Sequence, residues 1–290
     1  MKRAASLFRS EYTCGIALLV ASALAFSSAG IFTKGVDAAA WAVIFWRGLF
    51  AAVSTTVWAA TRSAMRAEFL GMGRTGLAVG LIGAAGTAAL IPAFKLTTVA
   101  NVALIYAAAP FLAAFLAWRI IAERVSPRTA FGAAWALAGV AVIVAGSIGS
   151  THLAGDGLAL IMTLAMATIM VLYRVAPDTP SAGPSVLQSV ILMPPAIAFG
   201  SPFEIDVSEI AILAAFGLVH AFASVTLAEG AKRVPAGQTA LLGALETPLA
   251  PILAFAILAE APTGATLLGG SIVLAAVLAS IRHDATAPPS

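Results

Sequence analysis

Two charged side chains stand where a charge is hardest to keep. Arg47 and Glu246 lie inside long apolar runs of a 290-residue chain. Arg47 is about eight residues into its run, roughly 12 Å deep at 1.5 Å per residue. Glu246 is at a similar depth. A charge at that depth of a bilayer costs at least ~2.5–3.5 kcal/mol unless it is paired or hydrated, so it must face a bundle interior or a wet cavity. One reading is chemical: Arg47 attracts a substrate carboxylate, and Glu246 takes an ammonium group or a coupling proton. The other is architectural: the two bond each other or free carbonyls and hold the helices together.

Uncharged polar groups extend the candidate site. Asn101 and Gln238 occupy matching places in two similar stretches, and Gln188 falls near the counterpart of Arg47. Buried amides either bond across helices or line a cavity. His220 has no second metal ligand beside it, which leaves packing, a cavity contact or a proton relay. Trp46 and Tyr106 are mid-depth aromatics next to these groups, whereas Tyr12, Trp41, Trp58, Trp118 and Tyr173 fall near span ends, where amphipathic rings settle. Pro110 and Pro248 also occupy related runs. Each frees a backbone carbonyl and makes either a hinge or a static bend.

The elements that must position these residues are membrane helices. The chain is 61% hydrophobic and 10% charged, with a mean hydropathy of +1.00. Soluble domains carry about a quarter charged residues, so lipid is the solvent this composition fits. The single cysteine, Cys14, excludes an internal disulfide. Apolar runs long enough to span read at about 13–32, 39–60, 75–94, 99–121, 128–147, 157–175, 184–201, 209–228, 236–258 and 264–281. Lys2, Arg3 and Arg9 ahead of the first run imitate a secretory leader. The run is long for a leader and resembles the sixth, so it is expected to be retained.

The ten runs form two sets of five. A shift of 137 residues lays Val99–Ile105 over Ala236–Leu242, Glu123 over Glu260 and Gly132 over Gly269. The expected architecture is therefore an all-α integral membrane protein. Residues 1–150 and 151–283 form two five-helix repeats, and 284–290 a disordered cytoplasmic tail. Five is odd, so the second copy enters the membrane inverted. That plan places a substrate site between the halves near the midplane. Thirteen of the sixteen lysines and arginines fall in segments on the side of the N-terminus; Lys34 and Lys95 fall on the other, and Arg47 within the membrane. Both termini are thus expected in the cytoplasm.

In this arrangement the chain resembles the EamA-type, ten-helix members of the drug/metabolite transporter superfamily over nearly its full length. The resemblance rests on Phe45-Trp46-Arg47, Ala107-Ala108-Ala109-Pro110 running to Glu123-Arg124, Gly132 and Gly139-Val140. In the second half it rests on Gly155-Asp156-Gly157, Arg174, Leu245-Glu246-Thr247-Pro248 and Glu260. It implies a ten-helix basket in the bacterial inner membrane, with a central cavity that faces each side in turn. It also implies export of amino acids or similar small metabolites, most like the exporters of aromatic and neutral amino acids. A site with one cation and one anion suits a zwitterion. Efflux of drugs or organic cations, accepted by Glu246, is the alternative.

Other classes fit less well. A sugar-phosphate carrier needs several cavity cations, and only Arg47 is available. A membrane enzyme needs an HExxH, paired aspartates or an activated serine at depth, and no aspartate is expected in a mid-span position. No enzyme activity, cofactor, metal or nucleic-acid partner is expected. The Gly76, Gly80, Gly83 and Gly86 spacing permits close packing without demanding a dimer, so a monomer is expected. Protons remain the candidate coupling ion.

Overall fold

The computed structural model describes residues 2–122, 127–231, 233, 242–243 and 245–284. Within them every regular element is a helix. In order these are α1 Lys2–Ser27, α2 Ala29–Lys34, α3 Ala40–Thr61, α4 Gly73–Leu96, α5 Val99–Tyr106, α6 Ala109–Ile121, α7 Pro127–Gly146, α8 His152–Val175, α9 Ala182–Gly200, α10 Val207–Ala231, α11 Glu246–Leu258 and α12 Gly264–Asp284. A π-helical turn, Arg66–Leu70, links α3 to α4. Seven spans are long and apolar enough to cross a membrane: Glu11–Lys34, Ala40–Thr61, Gly73–Leu96, Val99–Ile120, His152–Tyr173, Ala182–Gly200 and Val207–Gly230. Ala130–Gly146, Glu246–Leu258 and Gly264–Ala276 are apolar but shorter.

Two boundaries differ from the sequence reading in ways that matter. The fourth run is not one helix: it breaks at Ala107 and Ala108 into α5 and α6. The sixth begins at His152 rather than near 157, which draws Asp156 into the helix, where it is fully buried. The expected tail from 284 onward lies outside the described residues, apart from Asp284, which closes α12.

Helices pack mainly across the two halves of the sequence. α1 lies against α10, α3 against α9, α4 against α8, α5 against α11, and α7 against α12. Small residues set these distances, as expected where lipid tails remove any hydrophobic drive and association depends on close packing. At the α7–α12 crossing, a methyl on Gly139 would sit 2.6 Å from the carbonyl oxygen of Gly269, and one on Gly269 2.5 Å from that of Gly139. Neither position can hold a side chain without parting the helices.

The buried apolar core has two parts. One joins Phe94, Val102, Leu104, Ile105 and Phe111 to Ile143, Met162 and Val273. The other joins Val43, Ile44, Phe45 and Ile91 to Leu192, Leu213 and Phe216. Both gather toward the end of the bundle remote from the start of α1, here called the far end; α3, α5, α8, α10 and α12 all begin there.

The helix starts at the far end are capped by carboxylates from elsewhere in the chain. A helix N-terminus presents unbonded N–H groups and a partial positive charge, so acids stabilise it. Glu260 Oε1 accepts from the Val99 N–H at 2.6 Å, at the first residue of α5. Glu209 Oε1 accepts from the N–H groups of Asp37 and Ala38, just ahead of α3. At the opposite end, Glu68 Oε2 accepts from the Ala182 N–H at 2.9 Å, at the first residue of α9.

Candidate functional site

The α3–α10 contact builds the first part of the site. Gly217 lets the backbones touch: a methyl there would lie 2.7 Å from the Arg47 carbonyl oxygen. One residue before and three after it on α10, Phe216 and His220 then face Arg47. The guanidinium carbon lies 5.4 Å from the centre of the Phe216 ring. Nη1 lies 3.5 Å from His220 Nδ1, a weak contact at the outer limit of hydrogen bonding. The His220 ring meets Phe26 of α1 edge-on, with centroids 5.7 Å apart. An arginine always donates, so His220 must offer Nδ1 as a lone pair.

Arg47 is 97% buried, being 3% exposed. Its Nε has no hydrogen-bond partner, and among the described residues no carboxylate forms an ion pair with it. The reading in which Arg47 and Glu246 bond each other is therefore absent from this structure. A buried guanidinium without a counter-charge is a place for an anion.

The second part of the site lies at two helix breaks. α6 and α11 are each 13 residues long and begin 137 residues apart, at Ala109 and Glu246. Both end at an alanine in the left-handed region, Ala122 at φ 53° and Ala259 at φ 54°, whose N–H groups return to Ala117 and Ala254. The sequence repeat is thus also a repeat of backbone conformation. Glu246 is the first residue of α11, half-buried, with no hydrogen bond or ion pair among the described residues. Tyr106 closes α5 at the other break, within the electrostatic reach of Glu246. Pro110 and Pro248 are the second and third residues of α6 and α11. First-turn N–H groups have no helical partner, so proline is tolerated there. Both prolines therefore sit beside the breaks rather than kinking a continuous helix.

The remaining candidates are placed elsewhere. Trp46 donates from Nε1 to the Pro202 carbonyl at 2.7 Å and packs on Phe45, Phe50 and Phe203, which ties α3 to the loop after α9. Gln188 fills the notch left by Gly83 on α4. Gln238 lies outside the described residues.

Asn101 is the centre of a buried polar knot. Its Nδ2 donates to Asp156 Oδ1 at 3.0 Å, with Oδ2 at 3.2 Å, while its Oδ1 accepts from Thr266 at 2.7 Å. Thr97 donates to Asp156 at 2.6 Å. Gly155 makes the knot possible, since any side chain there would collide with the Thr97 backbone. Among the described residues no cation pairs with Asp156, but it lies where α5, α8 and α12 begin, so three helix dipoles direct positive charge toward it. The structure brings Arg47 together with His220, and Tyr106 together with Glu246; Asn101 belongs to this third, separate cluster. Sequence reasoning missed Asp156 and Phe216. Asp156 had a signal in Gly155-Asp156-Gly157, a carboxylate between two residues that permit close approach.

Apolar spans, buried unpaired charges and short loops together define a multi-pass membrane transporter of small substrates. The chain belongs to the EamA-like transporter family, whose pattern matches residues 13–145 and 153–282. No curated protein matches the chain. A solved crystal structure is similar with a TM-score of 0.65 and 18% sequence identity, covering 95% of this chain and 99% of the other. At that identity the likeness speaks to fold alone. Members of the family are transporters rather than enzymes.

Proposed function

We propose that this protein is a secondary transporter that exports amino acids, aromatic or neutral ones foremost, by alternating access. The observation that carries this reading is a pair of opposite charges without an ion-pair partner among the described residues, buried Arg47 on α3 and half-buried Glu246 on α11. A zwitterion supplies what each lacks, a carboxylate for Arg47 and an ammonium for Glu246. Phe26, Phe216 and Tyr106 beside them offer apolar surface for a side chain. Glu246 is also the group on which a coupling proton would ride.

The architecture we propose is ten crossings in two inverted five-helix repeats, with the three shorter helices as crossings. Support comes from the packing pattern. Under a two-fold axis in the membrane plane, α3 with α9 and α7 with α12 are self-related pairs, and α1 with α10 mirrors α4 with α8. Among the described residues these four are the most extensive helix contacts. Such carriers bind substrate at broken helices near the midplane, as at the breaks beside Tyr106 and Glu246. The distribution of lysine and arginine supports cytoplasmic termini; the inner-membrane location rests on the family resemblance, and the proposed carrier acts as a monomer.

Counterflow in proteoliposomes tests the function. Vesicles preloaded with single unlabelled amino acids should accelerate uptake of one labelled aromatic amino acid, saturably, relative to empty vesicles. No acceleration by any amino acid would overturn the substrate assignment. Because Glu246 has no cation of its own, efflux of an organic cation is then the reading to test.

A further inference from the structure

We infer that Lys34, Glu260 and the start of α5 form the latch that closes the far end of the transport path. Glu260 follows α11 and uses both carboxylate oxygens. Oε2 pairs with Lys34 Nζ at 2.8 Å, and Oε1 accepts the Val99 N–H at 2.6 Å. One side chain therefore holds three elements at once: α2, the α11–α12 connection and α5. Both charged side chains are mostly buried, at 24% and 15% exposure, so solvent screens this pair less than an open surface pair.

Packing under the latch is tight. Val99 is fully buried and lies on Gly30 of α2, where an added methyl would fall 2.6 Å from Val99 Cγ1. Beneath it, Ala103, Leu104 and Ala108 belong to the larger apolar core. Opening the far end requires α5 to leave α2 and α11, and each departure breaks a bond to Glu260. The opposite end has its own charge cluster, in which Arg233 pairs with Glu229 and Glu11 and Arg62 approaches Glu229 at 3.6 Å. Those contacts join the start of α1, the C-terminal cap of α3 and the end of α10. The far-end latch bonds α5 and the connection after α11 directly, the elements that flank the breaks beside Tyr106 and Glu246.

The latch rests on the alternating-access reading, but its test needs no substrate. Cys14 is exposed, so the background carries Cys14→Ala. A reporter, Ala108→Cys, sits at the break and is 2% exposed. A membrane-impermeant maleimide is applied to the face at which Glu204→Cys, an exposed far-end position, labels. With the latch intact the reporter labels slowly. Lys34→Gln and Glu260→Gln should each speed its labelling at least about fivefold, the range of a typical coupling between two states. Glu11→Gln, which loosens the other end, should leave the rate unchanged. Parent-level labelling in both latch variants, or equal acceleration by Glu11→Gln, overturns the proposal. Failed counterflow with the labelling pattern intact would remove the substrate assignment and keep the latch.

Discussion

The Arg47 guanidinium lies 3.5 Å from His220 Nδ1, across the α3–α10 contact, and this imidazole is the nearest thing it has to a partner. A neutral acceptor at that distance orients a cation without neutralising it. That separates a binding role from a structural one. Arg47→Met removes an unpaired buried charge and should leave folding yield and thermal stability at or above the parent's. Counterflow of a carboxylate substrate should fall at least about tenfold, since a charge-assisted hydrogen bond contributes about 1.5–3 kcal/mol. If stability falls together with transport, Arg47 holds the bundle and does not bind substrate.

Glu246 makes a different prediction, because its carboxylate starts α11 with no ion pair among the described residues. Glu246→Gln keeps the shape and loses the charge. Net transport driven by an imposed pH gradient should disappear, while exchange of substrate at equal pH persists. Gradient-driven uptake at the parent's rate in this variant would place proton coupling elsewhere.

Asp156 should matter for stability more than for substrate choice. Asp156→Ala leaves the Thr97 hydroxyl and the Asn101 amide without their acceptor in a buried site. An unsatisfied buried group costs about 1–3 kcal/mol. Thermal unfolding in detergent should show that loss, with Asp156→Asn intermediate because it keeps an acceptor oxygen. The order of substrate preference should not change in either variant that still folds.

The crossing of Gly139 and Gly269 should be intolerant of volume. Gly139→Val drives methyls toward the Gly269 carbonyl and Val273 and should destabilise by at least about 1–3 kcal/mol, the range for overpacking. Gly157→Ala, where an added methyl meets nothing within 4 Å, is the control and should be close to neutral.

The repeat was legible because a few features carry it strongly: one glutamate at the matching place in each copy, Glu123 and Glu260, and apolar runs of matching length. The family followed from the same residues. What the sequence hid was the interruption at Ala107 and Ala108. Alanine is the best helix former, so the only local mark is Pro110, whose missing N–H leaves the Tyr106 carbonyl without its helical partner and reads equally as a bend in a continuous helix. Asp156 was hidden for a related reason. A carboxylate near a span end reads as solvated, and only the convergence of three helix starts shows why it is buried. Arg47 was the easier residue: a lone cation deep in an apolar run has few places to go. Trp46, its neighbour in sequence, points to Pro202 instead, because adjacent residues on a helix face different partners.

The borrowed carboxylates also have a consequence for synthesis. α3 and α5 leave the ribosome more than a hundred residues before Glu209, which holds the N–H groups just ahead of α3, and Glu260, which holds the first N–H of α5. Until then those N–H groups lack their carboxylates, although Thr98 already caps α5 through the Asn101 N–H, and the helices of the first half lack the partners against which they pack. Assembly therefore cannot finish one half at a time. A nascent chain stalled after the first half exposes uncapped helix ends and unfilled glycine notches, the features by which membrane quality control distinguishes an unfinished protein from a mature one.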